Sequence, residues 1–153
     1  MQRYKFRLEA VLKVRRMVEE SCRNELGLLM VEKQRFLDEV AVQEADIVAT
    51  YVAQEQAMRE GMKASHVSYF PRVVEGKEAR IKQIKNSITD TERRIEMKLD
   101  ELRVKKAELK AVEKLREKDF EIWKKAYNKD VDMKVEEMVQ LWGENLKSQK
   151  EEL

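Results

Sequence analysis

Apolar residues recur every three or four positions along two long stretches of this chain, a spacing that predicts two amphipathic helices. The first stripe steps by about 3.6 residues and comprises Leu8, Val11, Val18, Cys22, Leu26, Leu29, Phe36, Val40, Ile47, Tyr51, Met58 and Met62. The second, with a phase slip around 109–112, comprises Phe70, Val74, Ile81, Ile84, Ile88, Ile95, Leu99, Leu102, Leu109, Val112, Phe120, Trp123, Tyr127, Val131, Met138 and Leu141. One apolar stripe on each helix means that each helix needs one partner face.

The one strong interruption of this pattern is the segment GMKASHVSYFPR, residues 61–72, which holds the only proline. Gly61 can end a helix because glycine adopts the left-handed conformation without strain. Ser68 can cap the next helix with its hydroxyl, and Pro71 is tolerated in a first helical turn. We therefore predict helix 1 over about 3–61, a turn over about 62–68, helix 2 over about 69–145 and a polar, frayed tail over 146–153.

Two helices joined by a short turn can cover each other's stripes. The predicted fold is therefore all-α, a long two-helix antiparallel coiled-coil hairpin that forms a single domain over residues 1–153. With the turn centred near residue 66, residue i would face about residue 132 − i, and Phe6 would lie opposite Ala126. The last apolar residues of helix 2 would then lack an intramolecular partner, and they are Val131, Met138, Leu141 and Trp142. This predicts an outside contact, with a local fold-back of Trp142 as the alternative.

Both stripes also contain polar residues: Arg15, Lys33, Glu44 and Gln54 in the first, and Lys77, Thr91, Lys106, Arg116 and Lys134 in the second. Such residues can run along the edge of a stripe with their charged ends in solvent. They can also fix the register of two helices at a cost in stability. The pattern leaves both interpretations open.

The composition supports a helical chain and narrows its function. Charged residues make up 41% of the 153, whereas glycine occurs 4 times and proline once, so few chain reversals are expected. The net charge of +2 is too balanced for nucleic-acid binding by bulk attraction. One cysteine and one histidine exclude an internal disulfide and a Cys/His zinc site, and favour a reducing, intracellular location. No stretch is apolar over a length that would span a bilayer.

No catalytic constellation is recognisable, so we predict a protein that is not an enzyme and that uses no cofactor or metal. There is no glycine-rich phosphate loop, and adjacent acids diverge by about 100° on a helix. Cys22 fits the stripe as a small buried hydrophobe, and His66 fits an exposed turn. Tyr51 and Tyr69 either pack at the closed end of the hairpin or present an aromatic contact surface there.

The chain begins with a basic, amphipathic segment whose cations are Arg3, Lys5, Arg7, Lys13, Arg15 and Arg16. Three interpretations are open: a solvated face, a surface for anionic lipid, or a docking surface for another protein. The lipid interpretation needs apolar residues beside the charges, but Leu8, Val11 and Val18 are already claimed by helix 2. Docking through the end of the hairpin that carries both termini remains as the functional alternative to a solvated face.

Two segments resemble the FliJ family of flagellar export proteins. In FRLEAVLKVRRMVEE the matching residues are Phe6, Arg7, Leu8, Glu9, Leu12, Arg15, Glu19 and Glu20. In VEKLREKDFEIWKKAYNKDVDMKVEEMV they are Glu113, Lys114, Leu115, Lys118, Glu137 and Met138. The length and the single central reversal of the chain are also similar to those of the family.

The resemblance implies a non-enzymatic coupling protein of flagellar type III export, similar to the central stalk of rotary ATPases. It implies binding to the ring of the export ATPase FliI, whose assembly it would promote, and to the export-gate protein FlhA, with FliH and free export chaperones as further candidate partners. The ATPase-binding residues would be Arg3, Lys5, Phe6, Arg7, Arg15, Arg16, Lys118, Glu137, Met138 and Trp142. The gate-binding residues would be Tyr51, Tyr69, Val73 and Ile84. It further implies a cytoplasmic protein at the inner-membrane face of the flagellar basal body, with membrane contact only through the export apparatus and no nucleic-acid partner.

Three other functions stay open at this point. The equivalent stalk of a virulence type III secretion system would have a similar sequence. A structural coiled coil could use the same stripes to dimerise in an extended form. A peripheral membrane or nucleic-acid binder could use the basic start.

Overall fold

A computed structural model describes residues 3–152, so residues 1 and 2 and Leu153, the end of the predicted tail, lie outside the described part. Three helices follow one another: α1 (Glu9–Arg59), α2 (Ala64–Val67) and α3 (Tyr69–Glu151). Across residues 3–152 there is no strand. The prediction of an all-α helical hairpin is confirmed.

The outer ends of both long helices differ from those predicted. Residues 3–6 have no regular secondary structure and residues 7 and 8 form a turn, so α1 begins at Glu9 and not at residue 3. The Glu9 carboxylate is favoured in a first helical turn, where backbone N–H groups are unpaired. The helix α3 continues to Glu151, past residue 145. Its last residues favour helix formation, and Lys150 in the last turn complements the negative end of the helix dipole.

A defined C-terminal motif at Gly61 ends α1, which is the role predicted for this glycine. Gly61 has φ +83°, its N–H donates to the Met58 carbonyl at 3.3 Å, and the Met62 N–H donates to the Ala57 carbonyl at 3.1 Å. These two bonds form a Schellman motif, which pairs the last carbonyls of α1. The predicted Ser68 cap does not form, because the Ser68 hydroxyl donates backwards to the Ser65 carbonyl at 3.0 Å.

The chain divides into two compact units, which are described separately below. Unit 1 consists of Met1–Val18 with Lys105–Leu153, and unit 2 of Glu19–Val104. Each unit therefore contains a part of α1 and a part of α3.

In unit 2 the contact face of α1 repeats every 3.5 residues, as in a left-handed coiled coil. The buried and half-buried positions in this repeat are Glu19, Cys22, Leu26, Leu29, Lys33, Phe36, Val40, Gln43, Ile47, Thr50, Gln54 and Ala57. The assumed step of 3.6 had placed Tyr51 and Met58 on this face, but both are exposed. Over several heptads even this small difference in step moves the face by a whole residue.

The facing part of α3 shows the same repeat, through Phe70, Val74, Lys77, Ile81, Ile84, Ile88, Thr91, Ile95, Lys98 and Leu102. The assumed path had used Leu99, which is exposed, where Lys98 lies on the contact face. Cys22, Leu26 and Leu102 form a buried cluster against which Ile95 packs. The one buried hydroxyl of this face, that of Thr91, donates to the Ser87 carbonyl at 2.9 Å.

Ion pairs define the antiparallel register of unit 2. Glu25 pairs with Lys98 at 2.5 Å, Lys33 with Glu92 at 3.3 Å, and Asp46 with Lys77 at 3.3 Å. The residue numbers in each pair add up to between 123 and 125, not to the predicted 132. The difference arises because the chain already turns at Gly61, and not in the middle of the segment 62–68.

Unit 1 contains the N-terminal turns of α1 and the C-terminal half of α3. Leu12 is fully buried (0% exposed) and Val112 is buried, whereas Val11 is 40% exposed. Glu9 pairs with Arg116 at 3.3 Å, and their numbers add up to 125. This register places Phe6 about seven residues earlier along α3 than the predicted partner Ala126.

The contact face of α3 in unit 1 also differs from the predicted path. It continues through Lys105, Leu109, Val112 and Arg116 without a slip at 109–112. Lys106, predicted to lie on it, is exposed.

The structure shows what the cations of the contact faces do. Arg15, Lys33, Lys77, Lys98 and Arg116 each form an ion pair with an acid of the other long helix. Their stems lie along the contact face while their charged ends reach the opposite helix, which favours a role in register. Glu44 and Lys134, in contrast, are exposed.

Candidate docking surfaces

Residues 3–8 precede α1 and lie in unit 1, where their side chains alternate in exposure. Tyr4, Phe6 and Leu8 are half-buried, whereas Arg3, Lys5 and Arg7 are exposed. An alternation of period two is that of a chain that lies along a surface with one side inward. We call residues 3–8 the N-terminal strap, and Arg3, Lys5 and Arg7 the basic row.

Tyr4 fastens the strap to α3. Its hydroxyl donates to Asp119 Oδ2 at 3.1 Å, and the same oxygen lies 3.4 Å from the Arg116 carbonyl oxygen. Its ring lies edge-on to that of Phe120, with centroids 5.1 Å apart, and tilted against that of Trp123 at 5.5 Å. Desolvation, and then the hydrogen bond to Asp119, raise the pKa of the Tyr4 hydroxyl. The hydroxyl therefore stays protonated and a donor at neutral pH.

The aromatic rings that contact Tyr4 belong to a row of stacked rings on α3. Phe120 stacks on Trp123 with centroids 5.8 Å apart, and Trp123 stacks on Tyr127 at 5.1 Å. Spacings of three and four residues place these side chains above one another on one face of a helix. The sequence pattern had assigned all three to contact with helix 1, and Tyr4 had been overlooked.

The six basic residues of the predicted docking segment differ in their surroundings. Arg15 pairs with Glu108, and Arg16 lies 3.9 Å from Glu113. Within residues 3–152 no member of the basic row forms an ion pair. Arg15 and Arg16 therefore help to join α1 to α3 in unit 1, and the basic row remains available for a partner.

A cleft of about 360 Å³ lies beside the strap in unit 1. Tyr4, Arg16, Glu113, Arg116, Glu117 and Phe120 line it. Two arginines and two glutamates share this lining, so the cleft has no excess of either charge. It offers an aromatic wall and a charged rim to a partner side chain.

Further along α3 in unit 1, the remaining candidate ATPase contacts are all exposed. They are Lys118, Glu137, Met138 and Trp142. The exposed fraction of Trp142 is 73%. An apolar groove of about 500 Å³ runs here along a single helix, lined by Val135, Met138, Val139, Trp142, Gly143 and Leu146. Within residues 3–152 Trp142 makes no ring contact. A contiguous apolar surface of this kind is typical of a protein–protein interface.

Three of the four candidate gate-binding residues are accessible on unit 2. Tyr51 and Tyr69 are exposed, and Tyr69 packs edge-on against Phe70 with centroids 5.8 Å apart. Val73 is half-buried and lines a groove of about 430 Å³. Ile84, in contrast, is 1% exposed because it lies on the contact face of α3, so it cannot contribute to a docking surface.

The sequence analysis missed an apolar strip on the exposed side of α1. It consists of Ala41, Val42, Ala45, Val48, Ala49, Val52 and Ala53, all exposed and all in unit 2. The stretch AVQEADIVATYVA has only two charged residues, Glu44 and Asp46, and many alanines and valines, which is the signal that could have indicated the strip. The groove that Val73 lines also includes Ala49 and Ala53, so strip and groove are continuous.

Two further properties of the described residues bear on function. Among residues 3–152 no group of three or more His, Cys, Asp or Glu side chains could hold a metal ion. The described helices include none that is apolar over enough of its length to cross a bilayer.

Comparison with known proteins identifies the family. The family described as Flagellar FliJ protein matches residues 4–132. The match includes the strap from Tyr4 onward and all of α1, but it ends before Glu137 and Met138. No curated protein matches the chain, and no solved structure matches it either. Because the match covers most of the chain, this protein belongs to the flagellar FliJ family.

Proposed function

We propose that this chain is a non-enzymatic coupling protein that links the export ATPase FliI to the export gate of the flagellar type III apparatus. Membership of the FliJ family supports a role in flagellar export. The proposal adds the two partners and assigns a surface to each. Because the matched family is a flagellar one, its match favours the flagellar system over the stalk of a virulence secretion system.

Unit 1 is the proposed ATPase-binding part, and the unpaired basic row is the observation that carries this assignment. Arg3, Lys5 and Arg7 are exposed, and residues 3–152 supply no ion-pair partner to any of them. Such charges can meet an acidic partner without first breaking an internal ion pair. They would then set the rate and orientation of the encounter more than the affinity. Exposed apolar residues of α3, such as Met138 and Trp142, would supply buried contact area.

Unit 2 is the proposed gate-binding part, with FlhA as partner. Tyr51, Tyr69 and Val73 offer aromatic and aliphatic contacts beside a groove. Aromatic side chains bury much area at little cost in conformational entropy, which suits them to a transient interface. The proposed location is the cytoplasmic face of the inner membrane at the flagellar basal body. FliH and export chaperones remain further candidate partners.

The proposal is tested by measuring whether the chain stimulates ATP hydrolysis and ring assembly of purified FliI. Reversing the basic row (Arg3→Glu, Lys5→Glu, Arg7→Glu) should abolish stimulation of ATP hydrolysis and of ring assembly. Reversing the exposed cations Lys82, Lys85 and Arg93 of unit 2 introduces the same charge change and should leave stimulation intact. Arg15 is unsuitable for this test, because its reversal would also break the pair with Glu108.

A second arm tests the gate. The double variant Tyr51→Ala, Tyr69→Ala should keep ATPase stimulation and lose binding to the cytoplasmic domain of FlhA. If both charge-reversed variants stimulated FliI equally, or if the tyrosine variant lost ATPase stimulation, the assignment of surfaces to partners would be overturned.

A further inference from the structure

We propose that Tyr4 is a positioning residue, which holds the N-terminal strap along α3 so that the basic row forms an ordered surface for an acidic protein partner. This inference rests on the proposed ATPase-binding role of unit 1. It adds a residue, Tyr4, to the proposed interface and gives a reason why that residue is an aromatic phenol. Neither the family match nor the charges of the basic row gives this.

The contacts of Tyr4 carry the inference. A hydrogen bond to Asp119, which lies 115 residues further along the chain, and two ring contacts connect this one side chain to α3. The Tyr4 hydroxyl oxygen also lies 3.4 Å from the Arg116 carbonyl oxygen. The strap lacks regular secondary structure up to residue 6, where the Phe6 carbonyl accepts a hydrogen bond from the Glu9 N–H at 3.2 Å. That bond joins the strap to α1 and not to α3. Tyr4 therefore supplies a side-chain anchor of the strap on α3.

The alternation in exposure links this anchor to the basic row. Tyr4, Phe6 and Leu8 face inward. Arg3, Lys5 and Arg7, which alternate with them along the chain, therefore face outward. A loose basic segment would also attract an acidic partner, but it would lose freedom on binding. A strap that is already docked avoids part of this loss, which is the general advantage of a preorganised interface.

Nearby acids do not neutralise the row. Asp119 accepts the Tyr4 hydroxyl, Glu9 pairs with Arg116, and Glu113 lies beside Arg16. The remaining acids on this part of α3, Glu117 and Glu121, are exposed and form no ion pair within residues 3–152. The row thus keeps its charge, and the complementary partner is an acidic protein surface.

The docking of the strap can be measured in the free chain by the fluorescence of Trp123, whose ring contacts Tyr4. A Trp142→Phe background removes the other tryptophan. In it, Tyr4→Ala should shift the Trp123 emission to the red and increase its quenching by acrylamide. Tyr4→Phe keeps the ring and should show a smaller change, whereas Tyr69→Ala in unit 2 should show none. Unchanged quenching in Tyr4→Ala would show that Tyr4 does not hold the strap on α3, an arrangement that we call the Tyr4 clasp.

A double-mutant cycle tests positioning, with purified FliI as the probe. Tyr4→Ala should weaken binding between about threefold and thirtyfold, and Tyr4→Phe should restore part of the affinity. In a chain that already carries Arg3→Ala, Lys5→Ala and Arg7→Ala, the change Tyr4→Ala should have little further effect. A merely structural contribution would instead add its full loss in both backgrounds.

The possible outcomes separate this inference from the proposed function. Failure of the unaltered chain to bind FliI would overturn the proposed function, and the positioning role with it, while the clasp is still judged by fluorescence. Normal binding by Tyr4→Ala, with weakened binding by the row variant, would overturn only the role of Tyr4. Binding to anionic vesicles that depends on the row, without binding to FliI, would replace the acidic protein with a lipid surface and overturn the inference.

Discussion

Lys98 Nζ donates to Glu25 Oε2 at 2.5 Å, joining the two long helices of unit 2 beside the buried cluster of Leu26 and Leu102. Glu101 accepts a second bond from the same ammonium group at 2.9 Å. Only 20% of the Lys98 side chain is exposed, so the contact face accommodates its stem. A lysine in this position sacrifices apolar contact and gains a defined register.

We therefore expect Lys98→Leu to raise the stability of the hairpin while weakening its specificity. Leucine would bury its side chain against the cluster, and we expect this gain to exceed the loss of the ion pair, because Glu25 is 55% exposed and solvent screens the pair on that side. Thermal unfolding should show a higher Tm, and light scattering should show more self-association. Glu101→Gln, which keeps the Lys98–Glu25 pair, is the control. A lower Tm for Lys98→Leu would contradict this account of the contact face.

The Lys98 ammonium group also leads to a prediction for the stability of unit 2 at alkaline pH. Hydrogen bonds to Glu25 and Glu101 raise the pKa of Lys98 above its usual value of 10.5. A group whose pKa is raised by folding contributes stability below its unfolded pKa and loses that contribution as the pH rises through the folded pKa. Lys98 should therefore add no pH dependence between pH 6 and 9, and its contribution to stability should decline only above about pH 10.5. Urea titrations across this range, compared with Lys98→Met, would measure the effect.

Leu12 and Val11 distinguish the observed contact face from the predicted one. Leu12→Ala should cost about 2–4 kcal/mol of unfolding free energy, because it removes a fully buried side chain. Val11→Ala should cost less than about 1 kcal/mol, since Val11 is partly exposed. Urea unfolding of both variants is the measurement. Equal losses would favour the 3.6-residue path over the observed 3.5-residue repeat.

Gly61 and Gly27 form a matched pair for testing the reversal. Apart from the adjoining backbone, a Cβ at either position would meet no atom within 4 Å, so only the backbone conformation distinguishes the two glycines. Gly61→Ala should destabilise the hairpin by about 1–2 kcal/mol, because its φ of +83° is strained for alanine. Gly27→Ala lies within α1 and should stabilise it by about 0.5–1 kcal/mol. The same sign for both changes would argue against the Schellman motif.

The contact face of α1 becomes more polar toward the turn, where it contains Gln43, Thr50 and Gln54. Fewer buried apolar contacts should permit more frequent local opening. Hydrogen exchange of amides in 43–57 should therefore be faster than in 19–40. Gln54→Leu should slow exchange around it, and Gln56→Leu, on the exposed side, should not. Uniform protection along both stretches would contradict this expectation.

Residues 133–152 lie beyond the family match and are exposed. Deleting them should leave the unfolding transition of the remaining chain nearly unchanged, because they bury little surface against it. Binding to FliI should weaken if the apolar groove around Trp142 contributes contact area. Trp142→Ala, compared with Lys147→Ala, would separate that groove from the length of the helix. A large loss of Tm on deletion would show that these residues support the fold.

Local signals in the amino-acid sequence determined the hairpin. Apolar spacing marked both long helices, and Gly61 marked the reversal, because periodicity and left-handed glycine act over a few residues. They also marked exposed residues such as Trp142 as lacking an intramolecular partner. The membership of the FliJ family could likewise be inferred from short segments of the chain.

Only the tertiary structure decided the register and the surfaces. A difference of a tenth of a residue per step accumulates along a helix of 51 residues, so the pattern could not choose Leu12 over Val11. Register in turn decided that Ile84 is buried and that Arg15 meets Glu108, which took both out of the candidate docking surfaces. The Tyr4 clasp depends on residues more than a hundred positions apart. Contacts of that kind follow from how two helices pack, and no local pattern contains them.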